Sequence, residues 1–352
     1  MNFASDNVTG VAPEILAALA AVNDGPAAAY GDDAVTVRLE ARMAEIFETE
    51  VAVFPVATGS AANALALSAV TPPYGAIYCH AAAHINVDEC GAPEFFTGGA
   101  KLVDLPGPDG KLTARDLAEV LAGAGKGVVH HVQPAAVSLT QATECGTVYS
   151  PDELRAITDL AHGYGLAVHM DGARFANAAA SLGRSPADLT WRAGIDLLSF
   201  GATKNGALAA EAVVFFDRAR AADFGFRRKR AGHLFSKMRF LSAQLEAYLA
   251  DDLWLRNAAH ANRMAVRIAD GLHRLEGAEL VYPVQANEVF ARLPEPVIAG
   301  LLADGFTFYR WDGPTGRMVR LVTAFDTDPA AVEAFLAAAE RHATPGMERA
   351  AG

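Results

Sequence analysis

Short apolar runs alternate with amphipathic segments along the first two-thirds of the chain. Five of the runs have the length of buried β-strands: 51–56, 127–132, 166–170, 196–200 and 212–216. Helical periodicity separates them at 35–49 and 151–164, and an Ala-rich helix is predicted to begin near Ala61. This alternation predicts a mostly parallel sheet with helices on both faces.

The pattern changes after about residue 250. A long helix is predicted over 253–274, and a last helix over 329–342. Short strands are predicted near Glu279, Val289, Phe306 and Val319. This order of elements is typical of a smaller α+β domain, and the tail after Thr344 is expected to fray.

Composition narrows the class of protein. The chain has 352 residues, 52% of them hydrophobic and 20% charged, which is typical of a globular protein with a large core. A net charge of −12 argues against a nucleic-acid partner. The start lacks a signal-peptide pattern and no apolar run has the length of a membrane span, so a cytoplasmic protein is expected. The three cysteines have no zinc-ribbon spacing and are expected to be reduced.

One cation lies within a largely apolar stretch, LLSFGATKNGALAAEAVVFF at 197–216. Structural lysines usually extend from surface helices into water, because burying an unpaired ammonium is costly. Lys204 instead directly follows a predicted buried strand, unlike the other five lysines of the chain. An amine held there can form a Schiff base. Taken alone, however, the position is explained slightly better by a structural lysine.

The motif HMDGAR, at 169–174, ends another predicted strand. Ligands of open α/β sheets gather beyond the carboxyl ends of strands, where Asp171 and Arg174 are expected. A plain ion pair between these two residues is an equally good explanation of the motif alone. Because Lys204 ends a strand of the same sheet, the amine and the acid together favour pyridoxal 5′-phosphate. The lysine would form the imine, and the aspartate would keep the pyridine ring protonated.

The segment FPVATGSAANALAL, at 54–67, predicts a strand-to-helix turn. Gly59 and Ser60 lie where free amides and the helix dipole favour an anion, which suits a cofactor phosphate. The GxxxxGK[ST] pattern of a Walker loop is missing. Judged by itself, the turn is explained more simply by Ser60 as a helix N-cap.

Two histidines and a cysteine occur close together in the segment CHAAAH. A helix would place His80 and His84 on one face, as in some metal sites. The HExxH glutamate and a third ligand are missing, so we predict no metal site. The alternatives for His84 are a structural role or stacking on a flat cofactor.

Motifs along nearly the whole chain together resemble the low-specificity L-threonine aldolases of the β-eliminating lyase family, which are fold-type-I pyridoxal phosphate enzymes. The motifs are ASDNVTG, AYGDD, ATGSAAN, AAAHI, VSLTQATECGTVY, HMDGARFANA, SFGATKNG and VRLVT. As a set they are highly specific. The resemblance implies an α/β fold like that of aspartate aminotransferase. A large domain, 1–250, would have a mostly parallel seven-stranded sheet, and its N-terminal segment would reach the active site. A smaller α+β domain would follow at 251–352.

The resemblance also implies roles for single residues. Those assigned to pyridoxal phosphate are a Schiff base on Lys204, a pyridine-nitrogen partner in Asp171, phosphate contacts from Gly59 and Ser60, and a stacked ring in His84. Catalysis is assigned to Lys204, Asp171 and His84.

Substrate binding is assigned to a second group of residues. Arg174 would lie near the cofactor's phenolic oxygen and the substrate carboxylate, which Ser5 and Arg320 would also hold. The planar guanidinium suits a carboxylate because it can donate two parallel hydrogen bonds. Tyr30 is a further candidate for the substrate pocket, with core packing as the alternative.

The family is oligomeric, and its active sites are completed between subunits. A homodimer or homotetramer is therefore expected. The basic run at 227–230 would reach a neighbouring subunit's phosphate, with Arg228 and Lys229 as the contacts. A solvated charged surface is the alternative explanation of this run.

One departure limits the resemblance. Some family members have a histidine in the segment that corresponds to TQATECG, whereas this chain has Gln141, Thr143 and Glu144. A catalytic role for that histidine therefore does not transfer. His84, a water molecule or the cofactor phosphate remain as acceptors for the proton of the substrate hydroxyl.

The implied reaction is a reversible retro-aldol cleavage. A clamped carboxylate would hold the Cα–Cβ bond perpendicular to the cofactor ring, and loss of the β-hydroxyl proton would release an aldehyde and leave glycine. L-Threonine, L-allo-threonine and phenylserine are the expected substrates. The alternatives are a transaminase or β-eliminating lyase of the same fold, and a binding protein without activity.

Overall fold

The larger of two β-sheets has seven strands, and the computed structural model describes residues 1–343. The strands are β1 (Ala52–Val56), β2 (Gly75–His80), β3 (Lys101–Leu105), β4 (Gln133–Thr140), β5 (Ala167–Gly172), β6 (Leu197–Gly201) and β7 (Glu211–Phe215). They lie in the order β1-β7-β6-β5-β4-β2-β3, and only β7 runs antiparallel to its neighbours in this sheet of the described chain. The predicted mostly parallel seven-stranded sheet is confirmed.

Helices cover both faces of this sheet. Those before residue 250 are α1 (Pro13–Ala21), α2 (Ala34–Phe47), α3 (Gly59–Val70), α4 (His84–Val87), α5 (Ala92–Thr97), α6 (Ala114–Gly123), α7 (Pro151–Gly163), α8 (Phe175–Leu182), α9 (Phe224–Arg230) and α10 (Arg239–Leu249). Every residue of β5, β6 and β7 is buried, as expected for central strands covered on both faces. Helix α7 begins with a capping box between Ser150 and Glu153, which satisfies two backbone amides of its first turn.

The strand predicted at 127–132 is wrong. Those residues form turns, and the strand begins one residue later, at Gln133. The Gln133 side chain accepts a hydrogen bond from the Gly127 amide at 2.7 Å and donates to the carbonyls of Val128 and His131 at 3.1 and 2.9 Å. These bonds fold the apolar run back as a loop, so its composition alone was misleading.

The second sheet follows helix α11 (Leu253–His273) and has the order β10-β11-β9-β8, with all neighbours antiparallel. Its elements are β8 (Glu279–Leu280), β9 (Glu288–Arg292), α12 (Glu295–Ala303), β10 (Tyr309–Arg310), β11 (Met318–Val322) and α13 (Pro329–Ala343). The predicted α+β character is confirmed, although α12 was not foreseen and the strand expected near Phe306 lies at 309–310. The tail after Thr344 lies outside the described residues.

The N-terminal segment joins the second sheet. The Phe3 amide donates to the Thr307 carbonyl at 2.8 Å, and the Phe3 carbonyl accepts from the Val322 amide at 2.8 Å. The Phe3 side chain is buried in the same core cluster as the apolar residues of β9 and β11. This segment is thereby held beside the carboxyl end of the large sheet. The domain boundary between 250 and 251 stays a prediction. In the part of the chain from residue 1 to 343, no helix combines the length and hydropathy needed to cross a bilayer.

The carboxyl ends of β5 and β6 approach each other closely where the chain leaves the sheet. A Cβ on Gly201, the last residue of β6, would lie 2.7 Å from the backbone of Ala173. Only glycine therefore fits at this crossing. The two loops that follow, with Arg174 and Lys204, are brought to the same edge of the sheet.

Candidate active site

A cavity of about 380 Å³ lies at the carboxyl edge of the large sheet. Six of the predicted site residues line it: Gly59, Ser60, His84, Asp171, Arg174 and Lys204. The sequence analysis did not assign roles to other residues of its wall, among them Asn63, Glu89, Thr140, Glu144 and Glu211. With Asn7 of the N-terminal segment, residues from six separate segments therefore line one cavity.

Lys204 lies in a short 3-10 helix, Thr203–Asn205, directly after β6. Its neighbour Asn205 is buried and donates to the Tyr248 hydroxyl and the Trp254 carbonyl at 2.7 and 2.8 Å, which fixes the backbone of the turn. The Lys204 side chain is half-buried, and its amine has neither a hydrogen bond nor a salt bridge to any residue from 1 to 343. A rigid backbone thus presents an uncommitted amine to the cavity.

Asp171 is buried near the end of β5 with both carboxylate oxygens hydrogen-bonded. Oδ2 accepts from Asn63 Nδ2 at 2.8 Å, and Oδ1 accepts from the Ala173 amide at 3.0 Å. Neither donor carries a charge, so the negative charge of the carboxylate is not cancelled by them. Such a group can favour a positive charge on a ligand atom beside it.

His84, Glu89 and Asn63 form a hydrogen-bonded chain that ends at Asp171. His84 Nδ1 lies 2.8 Å from Glu89 Oε1, and the same oxygen accepts from Asn63 Nδ2 at 2.8 Å. The hydrogen bond to Glu89 raises the pKa of His84 above its ordinary value, although partial burial opposes the shift. Burial also raises the pKa of Glu89. The imidazole is thereby fixed in orientation at the cavity wall.

The two histidines of CHAAAH do not share a helical face. His80 ends β2, and its ring contacts the Gly107 carbonyl at 3.1 Å and the Ala82 amide at 3.1 Å, whereas His84 begins α4. Among residues 1–343 there is no group of three or more His, Cys, Asp or Glu side chains arranged to hold a metal ion.

The predicted phosphate turn lies at the N-terminus of α3. Its N-cap is Thr58, whose hydroxyl oxygen accepts from the Ala61 amide at 3.2 Å, so the simpler interpretation of Ser60 as the N-cap is wrong. The helix begins at Gly59, two residues earlier than predicted. Amides in the first turn have no acceptor within a helix, and those of Gly59 and Ser60 lie at the cavity wall.

Arg174 is held by two buried acids. Its Nε and Nη2 donate to the two oxygens of Asp6 at 2.7 and 3.0 Å, and its Nη1 lies 3.3 Å from Glu288 Oε2. Burial alone would raise the pKa of Asp6, but Arg174 and Lys204 hold it below its ordinary value. Conversely, burial would lower the pKa of Arg174, and Asp6 and Glu288 raise it. The guanidinium is therefore charged and fixed.

Ser5 and Arg320 lie behind Arg174 rather than in the cavity wall. Ser5 Oγ accepts from the Asn7 amide at 3.1 Å and caps the 3-10 helix Asp6–Val8. Arg320 Nη2 donates to the Ala4 carbonyl at 3.2 Å, and its guanidinium lies 4.4 Å from the ring centre of Trp311. Both contact the N-terminal segment. Their assignment to the substrate carboxylate stays a prediction.

Tyr30, Arg228 and Lys229 lie outside the cavity. Lys229 Nζ is 4.8 Å from the ring centre of Tyr30, and both line a separate surface hollow with Phe226. Arg228 is buried, donates to the Pro55 carbonyl at 3.3 Å and packs on Phe54. Their predicted contacts with substrate or with a neighbouring subunit's phosphate stay predictions.

Two carboxylates in the wall had no assigned role in the sequence analysis. Burial raises the pKa of Glu144 to about 7, and burial likewise raises that of Glu211 to about 7. Glu211 Oε2 accepts from the Ala202 amide at 3.0 Å, just before the Lys204 turn. The sequence signal for Glu144 is its place in the segment TQATECG, where some family members have a histidine, and Glu211 only precedes the strand predicted at 212–216.

Known proteins resemble the chain over most of its length. The beta-eliminating lyase family model matches residues 2–295. The low-specificity L-threonine aldolase of Pseudomonas aeruginosa is 48% identical over 326 residues, 93% of each chain. That of a Pseudomonas species is 47% identical over 335 residues, 95% of this chain and 96% of the relative. The solved threonine aldolase of Leishmania major matches with a TM-score of 0.91 at 30% identity, covering 97% of this chain and 99% of that one.

These matches agree with the site geometry. The matched residues include every strand of the large sheet and the six predicted residues that line the cavity. The chain belongs to the β-eliminating lyase family of pyridoxal phosphate-dependent enzymes, in the group of the low-specificity L-threonine aldolases.

Proposed function

We propose that this enzyme catalyses the reversible retro-aldol cleavage of L-threonine, L-allo-threonine and other β-hydroxy-α-amino acids such as phenylserine. The products are glycine and an aldehyde. The observation that carries the proposal is the convergence of Lys204, Asp171 and Arg174 on one cavity in a chain 48% identical to a low-specificity L-threonine aldolase. An amine, an acid and a cation at one strand edge are the groups that an amino acid and pyridoxal phosphate require.

The described residues fit the cofactor. The Lys204 amine is free to attach it covalently, and the free amides of Gly59 and Ser60 suit its phosphate. Asp171, whose two hydrogen-bond donors are neutral, suits a protonated pyridine nitrogen. His84 lines the same cavity with a ring that can stack on a flat group. When bound, pyridoxal phosphate supplies a conjugated system that accepts the electron pair of a broken Cα bond.

The protein's own groups decide which bond is broken. Arg174 stands fixed by Asp6 and Glu288, so a substrate carboxylate that approaches it meets a cation that needs no reorganisation. Arg320 is half-buried outside the cavity wall, and its predicted contact with the same carboxylate requires the bound substrate to reach beyond Arg174. A carboxylate held on this side orients Cα–Cβ rather than Cα–H for cleavage.

The test is product identity with a Lys204→Ala control. Wild-type enzyme reconstituted with pyridoxal phosphate is expected to convert L-threonine to equal amounts of acetaldehyde and glycine. The kcat of the variant should fall by more than about 10³-fold. The Lys204 amine is needed both to attach the cofactor and to exchange it with the substrate amine. Borohydride reduction should fix the cofactor on the peptide that contains Lys204. A keto acid or ammonia as the main product would instead identify a transaminase or a β-eliminating lyase.

The proposal includes a homodimer or homotetramer with shared active sites, located in the cytoplasm. Support comes from the hollow lined by Tyr30, Phe226 and Lys229, in which Phe226 is 79% exposed. A large exposed aromatic beside an apolar hollow is typical of a contact surface. Sedimentation equilibrium of the holoenzyme should give a multiple of the chain mass, and Phe226→Glu should shift it towards the monomer. A monomeric wild-type enzyme would refute this part.

A further inference from the structure

Glu144 differs from the other carboxylates of the cavity wall. Its Oε1 accepts two hydrogen bonds, from the His84 backbone amide and the Thr140 hydroxyl, both at 2.8 Å. Its Oε2 is buried and has no partner among residues 1–343. Glu89 Oε2 is likewise buried without a partner, but Glu89 pairs with His84, whereas no cation of the described chain forms a salt bridge with Glu144. A buried carboxyl group that is half satisfied is costly, so its retention calls for a functional explanation.

The position of Glu144 is fixed by three elements around the cavity. It lies in the loop after β4, whose last residue Thr140 stands opposite Asp171 in the register of β4 and β5. The hydrogen bond to the His84 amide ties this loop to the start of α4. The carboxyl group is thus held in the wall between the two residues assigned to the cofactor ring.

We propose that the Glu144 carboxylate accepts the proton that leaves the β-hydroxyl of the substrate. This inference rests on the proposed aldol cleavage. The hydroxyl O–H bond breaks and a carboxyl O–H bond forms. The electron pair left on oxygen becomes the second bond of the aldehyde carbonyl as Cα–Cβ breaks, and pyridoxal phosphate, when bound, would supply the acceptor for the pair from Cα–Cβ. A proton added to Cα then completes glycine, and loss of the proton from Glu144 restores the carboxylate.

His84 has a different assignment. Its Nδ1 is engaged by Glu89, which fixes the ring at the cavity wall where stacking on the flat cofactor is assigned to it. Burial, with a smaller contribution from Asp171, raises the pKa of Glu144 to about 7. An acceptor with a pKa near the working pH is the most effective general base.

Several ionisable groups surround Glu144 and share its electrostatics. They are Cys79 of β2, Asp171 of β5, Arg174 before α8, and Cys145 and Tyr149 of its own loop. The pKa of both thiols and of Tyr149 is raised, chiefly by burial, so these groups are neutral at pH 7. Asp171 and Arg174 therefore remain as the acidic and basic groups that act on Glu144, and His84, Glu89 and Lys204 lie in the same cavity wall.

The decisive variant is Glu144→Gln, which keeps the acceptor for the His84 amide but cannot take a proton. Threonine cleavage should fall by about 10²–10⁴-fold in kcat. In the wild type, kcat/KM should decrease as the pH falls below about 7, because the acceptor becomes protonated. That acid limb should be missing in the variant. A loss of less than threefold, or an unchanged acid limb, would overturn the proposal.

A reaction without a β-hydroxyl separates catalysis from damage to the site. Exchange of the glycine α-hydrogen in D₂O needs the same cofactor, but no hydroxyl proton is transferred. Glu144→Gln should therefore keep exchange within threefold of the wild type. Loss of exchange and of cleavage together would show a structural role and overturn the proposal. If the wild type catalyses neither reaction, the proposed function itself fails.

A matched control and a direct titration complete the test. Glu211→Gln changes the other wall carboxyl group whose pKa is raised to about 7, and the acid limb should persist in it. Infrared difference spectra of the protein without substrate should contain a carboxylic-acid band that titrates near pH 7 and is missing in Glu144→Gln. A spectrum in which Glu144→Gln removes no such band would overturn the assignment independently of activity.

Discussion

Arg174 is largely buried and Arg228 is buried, but the charges around the two guanidinium groups differ. Arg174 has three hydrogen-bond or ion-pair contacts with the carboxylates of Asp6 and Glu288, at 2.7, 3.0 and 3.3 Å. Arg228 has one hydrogen bond to a carbonyl, and its Nε has no partner among the described residues. Acidic neighbours raise the pKa of Arg174 despite burial, whereas burial lowers the pKa of Arg228 to about 10.

The difference shows where each charge is compensated. The acids around Arg174 come from the N-terminal segment and from β9 of the second sheet, so this ion pair joins distant parts of the chain at the cavity. Arg228 donates to the Pro55 carbonyl of β1, four residues before the phosphate turn begins at Gly59. We infer that Arg174 is compensated within the fold, whereas for Arg228 the prediction stays that it meets the phosphate of cofactor bound by a neighbouring subunit.

The largest expected effect is on folding stability, in Arg174→Met. Removing the guanidinium takes away the partner that lies nearest to both Asp6 and Glu288 and leaves only the more distant Lys204 and Arg320, and breaking a buried pair in this way costs about 3–5 kcal/mol. Urea unfolding of the apoenzyme at pH 7.5 should show this decrease in the free energy of unfolding. Arg174→Lys retains a charge and should lose less. A decrease below about 1 kcal/mol in Arg174→Met would contradict the internal compensation of this charge.

A smaller effect is expected when the pH is lowered, on the stability difference between Arg174→Met and the wild type. Asp6 has a lowered pKa in the wild type, so its contribution to stability is present above its unfolded pKa and is lost as the pH falls through the folded value. In Arg174→Met the two buried acids have lost their nearest cation, so their pKa is higher than in the wild type and they become protonated as the pH falls. The difference in the free energy of unfolding between wild type and variant should therefore be about 2 kcal/mol smaller at pH 4.5 than at pH 7.5. A constant difference would mean that the loss comes from packing and not from charge.

Much of the Arg174 region could be predicted from sequence. HMDGAR and SFGATKNG end buried strands, and parallel strands bring their carboxyl ends to one edge of the sheet, so the meeting of Asp171, Arg174 and Lys204 follows from topology. The partners of Arg174 could not be predicted in the same way. Asp6 and Glu288 are 282 positions apart and meet only because Phe3 is anchored to the second sheet.

The Arg228 region was much less predictable. A run of four basic residues, 227–230, is typical of a solvated surface. Arg228 is nevertheless buried, whereas the Lys229 ammonium lies over the Tyr30 ring at the surface. Which side of a short helix faces the core depends on its tertiary contacts, here with Phe54. The strand prediction at 127–132 was also wrong because of a tertiary contact. The side chain of Gln133 holds this apolar run as a loop, despite its strand propensity.

The smallest expected effect is in Arg228→Met. The substitution removes a buried charge that has no acidic partner, so the apoenzyme should unfold within about 1 kcal/mol of the wild type or be slightly more stable. Binding of pyridoxal phosphate should nevertheless weaken about tenfold, corresponding to about 1.4 kcal/mol, because its phosphate loses a charge-assisted contact. Pyridoxal without the phosphate should bind both proteins equally in a fluorescence titration. Equal loss for both ligands would show that Arg228 supports the shape of β1 and does not compensate an anion, and the contrast with Arg174 would then be one of packing.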